Sequence, residues 1–172
     1  MLLTIRASQT PAPVLAARLG LPLDRIETFE LPFGRAHAFF PEATESESTV
    51  ALVVDIDPLE VDPVDERLYT ASPLLARAVE GLLAKQAEAG PAIPLEARLA
   101  ALPCQGGEER LRRAFEPLGY AVAAEALPLD PAFPDWGPSR CFTVTLRATL
   151  PVREVLAHLR DLIPGLTEEA AP

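Results

Sequence analysis

Apolar and polar positions alternate along this chain with two periods, and the changes of period mark its elements. Leu2 to Arg6 predicts a short strand, closed by the polar Ser8 to Thr10. From Pro11 to Leu19, Val14, Leu15 and Leu19 recur on one side of a helix that Gly20 ends. Ile26 to Pro32 alternates, with Phe29, Leu31 and Phe33 to one side and Thr28 and Glu30 to the other. Gly34 turns the chain, and Arg35 to Phe40 returns as the second arm of a hairpin. Pro41 to Glu47 is an acidic loop by composition. Ser48 to Asp57 is apolar at every position from Val50 to Val54, which predicts a central strand covered on both faces.

Pro58 to Leu68 is acidic and proline-containing, a loop by composition. Ser72-Pro73 is a helix start, serine as cap and proline at the first helical position. Leu75, Val79, Leu82 and Leu83 give that helix its buried stripe, and Ala89-Gly90-Pro91 ends it. Leu95, Leu99 and Leu102 then follow at a helix-like spacing that Pro103 stops. After the break at Gly106-Gly107, Glu108 and Glu109 suit the positive end of a second helix, with Leu111, Ala114 and Phe115 on one stripe and Pro117 and Gly119 at its end. Tyr120 to Leu127 predicts a weak, alanine-rich strand, and Pro128 to Ser139 a loop carrying Phe133 and Trp136. Phe142 to Leu150 alternates cleanly, with Phe142, Val144, Leu146, Ala148 and Leu150 on the apolar side. Pro151 opens a last helix whose stripe of Val152, Val155, Leu156, Leu159, Leu162 and Ile163 is placed to cover that side.

These elements predict an α+β fold: two small lobes of mostly antiparallel sheet with covering helices, residues 1–92 and 93–172, meeting at the Leu95–Tyr120 joint as one compact unit. An echo supports two similar lobes, because helix, Leu-Gly, then strand occurs at Arg18–Phe29 and again at Arg112–Leu127.

With 172 residues the chain is long enough for a substantial core. No apolar run approaches the ~20 residues of a membrane helix, and the start is too polar for a signal peptide, so a cytoplasmic location is expected. A net charge of −10, with Lys85 the only lysine, argues against a free-standing nucleic-acid binder and suits a basic protein partner. The two cysteines, Cys104 and Cys141, are expected to be reduced.

Candidate chemistry is sparse. Asp55 and Asp57 leave a strand on one face and form a carboxylate pair suited to Mg²⁺, against the plainer reading of a strand meeting water. His37, beside Arg35 on the hairpin, is either a general base or a half-buried residue bonded to the backbone. Cys104 precedes a helix start that would favour a thiolate, but neither histidine is near it in sequence, and a structural role is expected. Gln105-Gly106-Gly107 lacks the lysine of a phosphate loop, and two glutamates follow it. His158, between Glu154 and Asp161, reads as a surface pair. Phe133 and Trp136 are partner anchors, or else fold back over the sheet edge.

Several segments together resemble one family. LLTI, LPFGRAHAFFPEAT with ALVVDIDP, LYTASPLL, IPLEARLAALPC with GGE, LRR and FEPLGY, and FPDWG with FTVTLR are similar to the N-terminal domain of the bacterial HEN-type RNA 3′-terminal ribose 2′-O-methyltransferase, from Met1 to about Leu166. The insertion after the DVDP-like segment is short here, Leu59–Glu66. The resemblance implies a non-catalytic module of an RNA repair system. It would dock on the ligase domain of a bacterial polynucleotide kinase–phosphatase, enable ligase adenylation and RNA sealing, and meet RNA only through the complex. Catalytic, cofactor and metal residues are then expected to be none in this stretch, the S-adenosylmethionine-dependent half following residue 166, and TEEAAP reads as the end of a shortened or stand-alone version. Partner contacts are expected at Phe133 and Trp136, with Arg35 and His37 second. The alternative reading is a metal-dependent phosphoesterase-like enzyme using Asp55 and Asp57.

Overall fold

Seven strands and four α-helices make up the regular structure in a computed structural model that describes residues 1–32, 34–57, 71–86 and 90–167. The chain runs β1 (Leu2–Ser8), α1 (Ala12–Leu19), β2 (Glu27–Leu31), β3 (Gly34–Ala43), β4 (Glu47–Ile56), α2 (Ala71–Lys85), β5 (Ile93–Pro103), α3 (Gly107–Phe115), β6 (Ala121–Pro128), β7 (Pro138–Leu150) and α4 (Val152–Leu162). The strands form one sheet in the order β2-β3-β4-β1-β5-β7-β6, with every neighbouring pair antiparallel. The α+β class is as expected. The two lobes, however, are halves of a single sheet, joined where β1 pairs with β5.

Register explains how the sheet holds its core. Leu3 lies between Leu52 and Leu99, and Ile5 between Val50 and Ala97, so their side chains form continuous rows on one face. Ala36 and Ala38 extend the rows on β3, and Val144 and Leu146 extend them on β7. The stripes of the helices close over the same face, and all these residues belong to one hydrophobic cluster rather than two half-cores. α4 lies alongside α2. Within α1 the buried side is Ala12, Leu15, Ala16 and Leu19, whereas Val14 points out at 39% exposure.

Among the described residues no helix covers the opposite face. Arg6, Arg98, Arg147, Asp55 and Glu125 stand exposed on it. Hence the described helices cover β4 on one face only: Ala51 and Val53 lie on the other side, where Ala51 is opposite Phe39 and Val53 opposite Leu2 and His37. Such small apolar positions between large cross-strand neighbours read as a doubly covered strand when only the sequence is in view.

The largest departure is at β5. Leu95 to Pro103 is strand, not helix, because Leu95, Ala97 and Leu99 alternate with Glu96 and Arg98. A bulge between Leu99 and Leu102, with Ala101 at φ 54°, shifts the phase so that Leu102 also faces the core. A spacing of four followed by three is thus made by a bulged strand as well as by a helix. The expected loop at Pro41 to Glu47 is shorter than predicted, since β3 runs to Ala43 around a bulge and β4 begins at Glu47. α2 ends at Lys85, earlier than its proline-glycine signal. Phe33 and the Pro58–Leu68 loop lie outside the described residues.

The helix–Leu-Gly–strand echo has a structural counterpart. Gly20 follows α1 and Gly119 follows the 3-10 turn Glu116–Leu118 after α3, both left-handed, at φ 64° and 89°. Each then leads to a terminal strand, β2 at one end of the sheet and β6 at the other.

Candidate protein-interaction surface

Beyond Pro128 the chain crosses from β6 to β7 through a loop held almost wholly by its own backbone. Leu129 N–H donates to the Gly137 carbonyl at 2.9 Å and closes the loop. Inside it the Asp130 carboxylate accepts from Ala132 N–H at 2.8 Å, and Phe133 N–H donates to the Asp130 carbonyl at 3.1 Å. Pro134 starts a 3-10 turn, Pro134–Trp136, in which Trp136 N–H donates to the Phe133 carbonyl at 3.0 Å. This brings the Phe133 and Trp136 rings into a stack, 4.7 Å between centroids and 12° between planes. Neither ring folds back over the sheet edge: they are 52% and 61% exposed, and Leu129 beside them is 60% exposed. Large apolar groups held rigidly in water are suited to contact, because a partner would gain their burial with little ordering cost. Leu129 is the member that sequence reading passed over. Its signal was a large aliphatic residue in the same proline-braced loop as the two aromatics.

Arg35 and His37 do not join this surface. Both are on β3, five strand positions from β6, roughly 24 Å at ~4.8 Å per strand. Arg35 pairs with Glu30 at 3.3 Å on the solvent side, an ion pair of little worth to stability. His37 Nδ1 lies 3.1 Å from the Thr28 hydroxyl across the hairpin, so its partner is a side chain rather than the expected backbone group. Arg35, Asp55 and Asp57 line a hollow of about 550 Å³ at the end of the β2–β3 hairpin. Arg35 sits opposite Asp55 in register. Among the described residues no group of three or more His, Cys, Asp or Glu side chains is placed to hold a metal ion.

Cys104 is buried, and desolvation pushes its thiol up from the ordinary range, with Arg110 only partly opposing. Its Sγ donates to the Gly107 carbonyl at 3.5 Å. Arg110 ties the adjoining turn to the end of the chain's last described turn, donating to the Gln105 carbonyl at 3.3 Å and to the Gly165 carbonyl at 2.7 Å. Both cysteines are free thiols. His158 is not a simple surface pair: its Nδ1 lies 2.9 Å from the hydroxyl of buried Tyr120, and Asp161 pairs with Arg160. Among the described residues no helix is long and apolar enough to cross a membrane.

A family described as the RNA repair, ligase-Pnkp-associating region of Hen1 matches residues 1–170. The chain belongs to that family. Two solved structures share its fold, one of the Pnkp1/Rnl/Hen1 RNA repair complex and one of the Pnkp1/Rnl/Hen1 complex. Each has a TM-score of 0.61 at 16% identity and covers 99% of this chain. The chain spans 43% of the length of the chains it matches. No curated protein matches it in sequence. The family's associating role accords with a molecule whose most conspicuous feature is an exposed, preformed aromatic stack.

Proposed function

We propose that this chain is a non-catalytic binding and activating module of an RNA repair complex. It docks on the ligase domain of a partner polynucleotide kinase–phosphatase in the cytoplasm, raises ligase adenylation and so promotes RNA sealing. The observation that carries this reading is the family match over residues 1–170, and the Phe133–Trp136 stack supplies a surface suited to it. A ligase must first transfer AMP from ATP to itself. A bound module accelerates that step if it binds the closed, reactive arrangement more tightly than the open one. The net charge of −10 favours encounter with a basic RNA enzyme and fixes orientation. RNA is met through the complex. In the full-length protein the remaining part is proposed to be an S-adenosylmethionine-dependent RNA methyltransferase, with no cofactor held by the present stretch.

The phosphoesterase-like alternative has less support, because among the described residues no third His, Cys, Asp or Glu side chain joins Asp55 and Asp57 in a group placed to hold a metal ion. The test is ligase self-adenylation with and without this chain, using labelled ATP. AMP transfer is expected to rise on addition, equally with native protein and with Asp55→Asn. Equal transfer in the presence and absence of the chain sinks the activating role. A folded Asp55→Asn variant that fails to stimulate favours the enzyme reading.

A further inference from the structure

The two ends of the sheet are finished differently. β2 is five residues long and carries Glu27 and Glu30, with Glu27 held by Lys85 from α2. Short, charged terminal strands keep a sheet from pairing with stray chains. β6 has eight residues, AVAAEALP, with Glu125 as its single charge and proline only at its last position. It is not a frayed end, because β7 backs it in register from Ala121 opposite Arg147 to Ala126 opposite Phe142. No described strand lies on its far side, so alternate N–H and C=O groups along it have no ladder partner there. Exposed apolar groups gather at both its ends: Leu118 before it, and Leu129, Phe133 and Trp136 after it.

We propose that β6 is a docking edge at which an extended segment of the partner protein adds to the sheet as an eighth strand. Its backbone pairs with Ala121–Leu127, and an apolar side chain at one end rests on the Phe133–Trp136 stack. Strand addition of this kind draws affinity from main-chain hydrogen bonds and specificity from the side chains that flank them. The inference rests on the reading that the chain works by binding a protein. The occupant is a basic segment rather than a second copy. Glu125 is exposed and makes no ion pair among the described residues, and Asp130 and Asp135 lie on the loop that continues the edge. A lysine or arginine on the incoming strand answers those carboxylates, whereas a second copy brings the same acids and a further −10 of charge.

Hydrogen–deuterium exchange of the native chain, alone and in complex with its kinase–phosphatase–ligase partner, tests the proposal. The amides of Ala121–Leu127 are expected to exchange more slowly in the complex. A complex that leaves them unchanged overturns the docking edge while sparing the proposed function; failure to form any complex sinks both. Protection already present in the chain alone, together with a dimer in sedimentation, assigns the edge to a second copy and overturns the choice of occupant. Protection by single-stranded RNA in place of the protein partner overturns it as well. Ala123→Pro and Ala124→Pro complete the test, since neighbouring residues point their N–H groups to opposite sides of a strand. The variant that keeps the native melting midpoint is expected to bind roughly tenfold more weakly or worse, having lost a donor only to the partner. Native affinity in that folded variant overturns the proposal, and if neither variant folds, the exchange pattern of the native chain decides.

Discussion

Trp136 and Tyr120 show how differently two aromatic side chains serve one small protein. Trp136 is held outward by its turn and by Phe133, so truncating it removes contact area without disturbing the core. If the proposed docking on a ligase holds, Trp136→Ala is expected to weaken that binding by at least about 2 kcal/mol, in the range of an interface anchor, with an unchanged melting midpoint. Isothermal titration of the variant checks this, and native affinity would remove Trp136 from the interface. Tyr120 is buried, and burial first, then the Glu154 charge, hold its phenol well above its ordinary value. A raised folded pKa for an acid means the unfolded chain ionises first. Tyr120 therefore lends stability that is fully present below roughly pH 10 and lost as pH rises from there towards the folded value. Tyr120→Phe should cost about 1 kcal/mol at neutral pH through the lost bond to His158, and should flatten the fall in melting midpoint above pH 10. An alkaline limb as steep as the native one would place the titration elsewhere. Phe133 and Trp136 stood out in the sequence as aromatics in a proline-rich loop, but whether they turn outward depends on backbone bonds that no spacing reveals. The partner of His158 was hidden for another reason, since it lies 38 residues away.

At the level of elements, helices and strands were legible where one period ran undisturbed. Phe142 to Leu146 alternates over buried positions, and α4 keeps Val152, Val155, Leu156 and Leu159 inside. Leu159 is fully buried in the layer where α4 lies alongside α2. Leu159→Ala should thus cost about 2–5 kcal/mol, a large part of a typical stability of ~5–15 kcal/mol. Urea denaturation measures it, and an unshifted midpoint would mean that the helix contributes no core. β5 was illegible for a physical reason: bulges break the period-two pattern that identifies strands, and the bulge between Leu99 and Leu102 left a spacing that a helix shares. β4 deceived in the opposite sense, because Ala51 and Val53 face open sheet beside Phe39, His37 and Leu2.

Across the whole molecule, the antiparallel α+β character followed from the elements, but the single sheet did not. Pairing of β1 with β5 joins segments about 90 residues apart, and nothing local to either strand announces it. Residues 1–92 and 93–172 made as separate chains should each fail to melt cooperatively, since each leaves an inner strand without one neighbour and half the cluster uncovered. Circular dichroism of the two fragments is the measurement, and a sharp transition from either one alone would make that lobe a domain in its own right. The same central pairing sets a clock during synthesis. β1 emerges first and finds β4 after some fifty residues, yet its other flank stays bare at least until β5 begins, about 36 residues after β4 ends. At ~5–20 residues per second that is roughly 2–7 s with an inner strand open on the growing chain. For that interval the nascent protein must be kept from the wrong neighbour, and a ribosome that stalled between Ile56 and Ile93 would leave a sticky half-sheet behind.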